Sequence, residues 1–317
     1  MNVKKYLVTG AAGFIGSNLV MQLCDAGHNV VGIDSFHGYY SKGLKLNNLL
    51  RLLDIETFRF QELDILNLDH LEFAKDFDCI FHLAAQPGVR DSWGKGFDSY
   101  STNNVLGTQK VFEYAVQNSI NRVVFSSSSS IYGDAETFPT LESALPKPRS
   151  PYGVSKLTGE HLGAAYARNF GLEVVALRYF TVFGPGQRPD MAIHRLINCA
   201  ITGQKFPKFG DGEQIRDFTY VEDVAAANIL AATATLSSQS VVINIGGGNS
   251  TSLNSLISNI ETIAETPIKI TQEGSPKGDV IRTGADTNLA SEILGWRPKI
   301  AMQTGLKLQY EWQKGSH

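Results

Sequence analysis

The chain has 317 residues, 43% of them apolar, which is enough to bury a sizeable core in one large domain or two closely joined ones. Its formal net charge is −3 with no basic block, which excludes the basic stripe of a nucleic-acid surface. No apolar run approaches the length of a membrane-spanning helix.

The first element comes almost at once. Tyr6-Leu7-Val8 reads as a strand, Gly10, Gly13 and Gly16 as a tight turn, and Phe14, Leu19, Val20 and Leu23 as one face of a helix. Glycines at this spacing let the backbone approach a pyrophosphate, and the helix N-terminus offers it free N–H groups. Asn29 to Asp34 is the next strand and ends in an acid at the distance of a ribose-binding carboxylate. Asp34 would repel a 2′-phosphate, so NAD is expected over NADP. The plain alternative for Asp34 is a helix or loop cap, which Ser35 could equally provide. Before this first strand, Met1 to Lys5 carry no apolar signal segment.

Strands and helices then alternate. Leu44 to Leu53 has helical spacing, and Thr57-Phe58-Arg59-Phe60 is a third strand leading to Asp64 and Ile65. Asp64 is a candidate for the adenine amino group, or an N-cap for the next helix. Asp78 to Ala85 is a continuous apolar strand, as one buried on both faces should be. Ala84 and Ala85 leave room for a ligand at its carboxyl end, while His82 reads as a packed core histidine. Ser101 to Asn118 reads as a long helix; Asn104 near its start either bonds a structural or ligand group inside the site or is a capping or solvent-facing amide.

Arg122 to Phe125 begins a strand that runs into Ser126, Ser127, Ser128, Ser129 and Ser130. Its apolar flanks place the serines at the end of a central strand rather than in a linker. Ser150 and Pro151 open a helix to about Asn169. Tyr152 and Lys156 lie four apart on it, hence on one face, and an ammonium near a phenol favours the phenolate. Leu172 to Leu177 is a further strand. Beyond Gly184-Pro185-Gly186 the texture changes to mixed helices and short strands. Asp217 to Val221 and Val241 to Ile245 are strand-like, and Gly246-Gly247-Gly248 is read as a turn. The expected fold is α/β: a doubly wound parallel Rossmann sheet over residues 1–180, with a smaller mixed α/β substrate-binding region over 181–314. Some chain crossing is expected between the two.

Cys24, Cys79 and Cys199 are scattered without metal-like spacing. They read as small hydrophobes, so no metal is expected, and their usage fits a reducing cytoplasm. Gly315-Ser316-His317 read as an expression remnant.

Taken in order, these motifs resemble the extended short-chain dehydrogenase/reductase family. The matching stretches are Thr9 to Gly16, His82 to Ala85, Asn104 to Thr108, the serine run with Tyr132-Gly133, and Tyr152 to Lys156. Arg178-Tyr179-Phe180, Gly184-Pro185, Arg216-Asp217-Phe218 and Leu294-Gly295-Trp296 continue the match. The resemblance implies a cofactor site of Gly10, Gly13, Phe14, Ile15, Gly16, Asp34, Asp64, Ile65, Ala84, Ala85, Asn104, Tyr152, Lys156 and Tyr179. It makes Tyr152 the catalytic base, with Lys156 on the nicotinamide ribose lowering its pKa. Ser128 would bond the reacting hydroxyl, with Ser127 and Ser129 as alternatives within the run that also face the substrate. Arg216 would meet the diphosphate, and Phe209 would stack on uracil.

Sugar-nucleotide dehydratases that resemble this chain carry an Asp-Glu pair where Ser129 and Ser130 stand, and decarboxylases a Glu at the second position. Two absent acids therefore favour the 4-epimerase branch. Thr181 to Ala192 resembles UDP-glucuronate 4-epimerases, with Thr181 where neutral-sugar enzymes usually have Asn. Arg188 is placed to pair with a sugar carboxylate, its plain alternative being a surface or phosphate-facing Arg. The expectation is an NAD-dependent UDP-sugar 4-epimerase acting through a 4-keto sugar, most like UDP-glucuronate 4-epimerase, as a cytoplasmic homodimer binding no nucleic acid or membrane. The alternatives are an epimerase of neutral UDP-sugars, a nucleotide-sugar reductase and a non-enzymatic redox-sensing or scaffold protein.

Overall fold

The computed structural model describes residues 2–73, 75–274 and 280–315, so Ser316 and His317 of the expected remnant lie outside the described residues. Six strands from the first part of the chain line up in parallel: β1 (Lys5–Thr9), β2 (Asn29–Asp34), β3 (Phe58–Glu62), β4 (Cys79–His82), β5 (Arg122–Ser128) and β6 (Glu173–Tyr179). They are apolar where they cross the core and polar at their carboxyl ends, which is where a ligand can sit. A later strand, β10 (Ser240–Ile245), returns to pair with β6, giving the order β10-β6-β5-β4-β1-β2-β3. The order reverses beside β1, and that switch point opens a crevice above the glycine turn.

Helices α1 (Phe14–Asp25), α2 (Lys42–Leu53), α3 (Phe97–Tyr100), α4 (Gly107–Gln117) and α5 (Pro151–Phe170) connect these strands. The helix expected from Ser101 is present, but its first six residues, Ser101–Leu106, wind as a π-helix before α4 begins. Wide turns of this kind are frequent beside functional sites. Helix α5 starts as its sequence dictates: Ser150 accepts from Gly153 N, Pro151 takes the first turn, and Gly171 at φ 74° ends it.

The remaining chain forms β7 (Thr181–Phe183), α6 (Ala192–Thr202), β8 (Phe206–Phe209), β9 (Ile215–Tyr220), α7 (Val221–Thr233), β11 (Asn249–Ser252), α8 (Leu253–Ala264), β12 (Ile270–Glu273), α9 (Asn288–Leu294) and α10 (Met302–Lys314). Strands β11, β9 and β7 make one small sheet, and β12 with β8 another. Gly246 to Gly248 turn the chain from β10 into β11, as expected. Helix α7 packs back on α1, so this half of the chain closes over the first sheet. Its own core gathers Phe183, Leu196, Phe218, Tyr220 and Leu306. All three cysteines are free and buried among apolar neighbours. Among the described residues no His, Cys, Asp and Glu cluster could hold a metal, and no helix is long and apolar enough to cross a membrane.

Candidate active site

The crevice above the sheet is continuous. Its inner part is walled by Gly10, Gly13, Phe14, Ile15 and Gly16, with Asp34, Asp64, Ile65, Ala84 and Ala85 opposite. Gly10 has φ 71°, and a Cβ there would lie 2.8 Å from Ala84 N; at Gly16 it would lie 2.1 Å from Gly10 O. Only glycine lets the turn press against β4 in this way. No side chain caps α1, and no acid stands in its first turn. Its N–H groups therefore face the crevice unneutralised, a fit for a pyrophosphate.

Asp34 and Asp64 each do two jobs. Asp34 accepts from Phe36 N at 2.8 Å and from Lys45 Nζ at 2.9 Å, and still lines the crevice. Asp64 caps the next turn by accepting from Leu66 N, and also lines it. Asn104 takes the structural alternative rather than the cofactor contact that the resemblance implies. It is buried away from the wall, accepting from Gln86 N at 2.7 Å and donating to Gln86 O and Ser155 Oγ. The π-turn aims it at the loop after β4, and Asn103 lines the crevice instead. Asn104 thus ties that loop to α5 rather than touching a cofactor. His82 is the core histidine expected: it bonds Thr9 and Thr108, and burial pushes its pKa down to about 3.

The catalytic candidates meet where the inner crevice opens into an outer cavity of about 660 Å³. Tyr152, Ser127 and Arg188 line both parts, Lys156 the inner, Ser128, Ser129 and Thr181 the outer. Burial raises the Tyr152 pKa, while the Ser128 hydroxyl and the Arg188 charge pull it down. That lowering was expected from Lys156. In the fold the buried Lys156 Nζ donates to Ser126 O at 2.7 Å, and burial lowers its own pKa to about 7. Tyr179 lines both parts and donates to Asn228 Oδ1.

Ser127 was expected to face the substrate. Its hydroxyl points down instead and donates to Glu160 Oε1 at 2.5 Å. Glu160 holds Arg178 in a two-point ion pair, Oε1 to Nε at 2.9 Å and Oε2 to Nη2 at 2.7 Å. Arg178 Nη1 in turn donates to the Tyr132 hydroxyl. This buried network locks the end of β5, and so sets where Ser128 stands. Glu160 could have been found from its position: it follows Lys156 by four, on the face of Tyr152.

Arg188 is matched within the chain. It holds Asp190 through Nε at 3.0 Å and Nη2 at 2.9 Å. Tyr39, on the loop after β2, donates to Asp91 and Asp190 and so reaches across the crevice. In the outer cavity Phe209 and Arg216 stand as expected. Arg90, absent from the sequence reading, lies over the Phe209 ring at 4.6 Å.

A doubly wound sheet, an open glycine turn and a Tyr/Lys pair beside a strand-end serine define a dinucleotide-dependent enzyme of small-molecule alcohols. The chain belongs to the NAD dependent epimerase/dehydratase family, whose model matches residues 6–246. It is 36% identical to the UDP-glucuronate 4-epimerase of Thermodesulfobacterium geofontis over 98% of this chain and 96% of that one. It is 42% identical to the uncharacterized UDP-glucose epimerase YtcB of Bacillus subtilis (strain 168), over 95% of each. Among solved structures it is similar to the UDP-glucuronic acid 4-epimerase from Bacillus cereus in complex with UDP-glucuronic acid and NAD. That likeness has a TM-score of 0.94 at 42% identity, over 99% of this chain and 100% of that one.

Proposed function

We propose that this chain is an NAD-dependent UDP-sugar 4-epimerase that interconverts UDP-glucuronate and UDP-galacturonate. One observation carries the choice of sugar. The Arg188 guanidinium lines the cavity beside Tyr152, where a substituent on the reacting ring would lie, and no acid stands at Ser129 or Ser130. The likeness to the Bacillus cereus enzyme supports the same reading.

NAD, when bound, supplies a hydride acceptor and donor for C4. Gly10 to Gly16 hold its diphosphate, Asp34 its adenosine ribose, and Lys156 its nicotinamide ribose. Tyr152 takes the proton of the 4-hydroxyl and later returns it, on either face of the sugar. Ser128 bonds the same oxygen and steadies charge there. The wide outer cavity leaves the ring room to turn between the two transfers, while Arg216 and Phe209 keep the nucleotide in place.

Residues 1–180 hold the cofactor and 181–314 the UDP-sugar, with β10 crossing back. We also propose a homodimer that pairs the 101–118 helical run and α5, where Leu106, Val154 and Phe170 are exposed apolar side chains. Three free buried thiols support a reducing, cytoplasmic setting. A second reading, an epimerase of neutral UDP-sugars, is favoured by the Asp190 partner that already matches Arg188.

The test is to incubate the purified protein with UDP-glucuronate, with UDP-glucose or with UDP-N-acetylglucosamine, adding no cofactor, and follow the sugar protons by NMR. UDP-galacturonate forming in the first tube alone is the expected result. Conversion of a neutral sugar alone would sink the carboxylate assignment and keep the chemistry. No conversion in any tube, even with NAD added, would overturn the epimerase reading.

A further inference from the structure

The inner crevice contains a charge pair that the reaction does not use. Asp34 ends β2, and Lys45 lies near the start of α2. They meet at 2.9 Å with side chains only 5% and 11% exposed. Both line the crevice, together with Ser35, His37 and Tyr40. Asp34 Oδ1 takes both the Lys45 ammonium and Phe36 N, so Oδ2 is the oxygen left to face a ribose hydroxyl. The Tyr40 ring lies 5.5 Å from the Lys45 Nζ.

We propose that the Asp34–Lys45 pair, not Asp34 alone, sets the choice between NAD and NADP, with Lys45 a latent site for a 2′-phosphate. This rests on the cofactor assignment above. With Asp34 present, the ammonium is already matched, and an added phosphate would meet a carboxylate in a wall with little water to screen it. With the Asp34 charge removed, Lys45 keeps its place in the wall and has no anion. A 2′-phosphate carries nearly two negative charges and would supply one. Exclusion of NADP is therefore a property of one carboxylate holding one lysine.

The experiment titrates cofactor-free protein with NAD and with NADP by calorimetry, for the parent, Asp34→Asn, Lys45→Met and the double variant. Asn keeps an Oδ1 acceptor for Phe36 N, so the loop after β2 should hold, and circular dichroism checks the fold. Asp34→Asn is expected to shift preference toward NADP by about 100-fold, the scale of a close charge pair. Adding Lys45→Met is expected to remove at least about tenfold of that NADP gain while changing NAD affinity much less. Lys45→Met alone, with Asp34 left unpaired, is expected to bind NADP more weakly than the parent. A double variant that binds NADP as tightly as Asp34→Asn would overturn the role of Lys45. An Asp34→Asn protein that folds and still excludes NADP would overturn the proposal as a whole. Should Asp34→Asn not fold, unchanged NADP binding by Lys45→Met would also overturn it. A parent protein that binds neither dinucleotide would instead overturn the cofactor assignment beneath it.

Discussion

Arg188 and Asp190 form a two-point ion pair, Nε to Oδ1 at 3.0 Å and Nη2 to Oδ2 at 2.9 Å, two residues apart on one loop. The guanidinium is largely buried, at 20% exposure, so its charge acts on whatever enters the cavity beside it. A sugar carboxylate would have to share or replace Asp190. Arg188→Ala is expected to lower kcat/KM for UDP-glucuronate by about 100-fold, the scale of losing a desolvated charge contact. For UDP-glucose the loss is expected to stay below about tenfold. Equal losses for the two sugars would remove the carboxylate role. Asp190→Asn is expected to lower the KM for UDP-glucuronate by freeing the guanidinium.

Burial holds the Tyr152 phenol above its ordinary pKa, and Ser128 is one of the two groups that pull it back. Tyr152→Phe is expected to abolish turnover while leaving cofactor binding intact, which calorimetry with NAD checks. Ser128→Ala is expected to cost kcat about 100-fold, as loss of a charge-stabilising donor does. It is also expected to move the alkaline rise of the kcat profile to higher pH, because the phenolate loses a stabilising partner. A profile that does not move would mean that Ser128 acts on the substrate alone.

Lys156 has its pKa lowered to about 7 by burial, from an unfolded value near 10.5. Folding thus favours the neutral amine. The stability this contributes is complete above the unfolded value and is lost as pH falls through 7. Cofactor-free protein is expected to gain on Lys156→Met by roughly 2 kcal/mol between pH 7 and 9, at about 1.4 kcal/mol per unit. Urea midpoints of the two proteins at both pH values measure it. A constant difference would place the folded pKa above that window, close to the unfolded value.

Glu160 and Arg178 are each 5% exposed and bound at two points. Removing one partner leaves an unmatched buried charge, at a cost of about 3–5 kcal/mol. Glu160→Gln is expected to lower the melting temperature by at least about 5 °C. The catalytic rate is expected to fall as well: the Gln amide keeps one oxygen for Ser127 but sets an NH2 donor against Arg178 Nη2, which loosens the network that holds the end of β5. Replacing both as Glu160→Gln with Arg178→Met is expected to recover part of the stability.

Short-range signals in the sequence were sufficient for much of this. A strand, a glycine turn and a helix within twenty residues define the cofactor crevice because each depends on neighbours in the chain. Tyr152 and Lys156 share a face because helical geometry places residues four apart together. The apolar flanks of the serine run suffice to place it at a strand end, where β5 closes at Ser128. Other features depended on segments that meet only after folding. Ser127 reaches Glu160 across 33 residues, and Tyr39 reaches Asp91 across 52. Asn104 turned inward because the loop after β4 offered it a complete set of partners. A hydroxyl, an amide or a charge settles on the partner that best offsets its desolvation. The sequence by itself therefore determined the fold and the glycine turn of the crevice, and put Tyr152 and Lys156 on one face of one helix. Tertiary structure alone decided that Glu160 takes the Ser127 hydroxyl, what holds Arg188, and that Lys45 lies beside Asp34, because the cost of burying a charge is met by whatever packing brings within 3 Å.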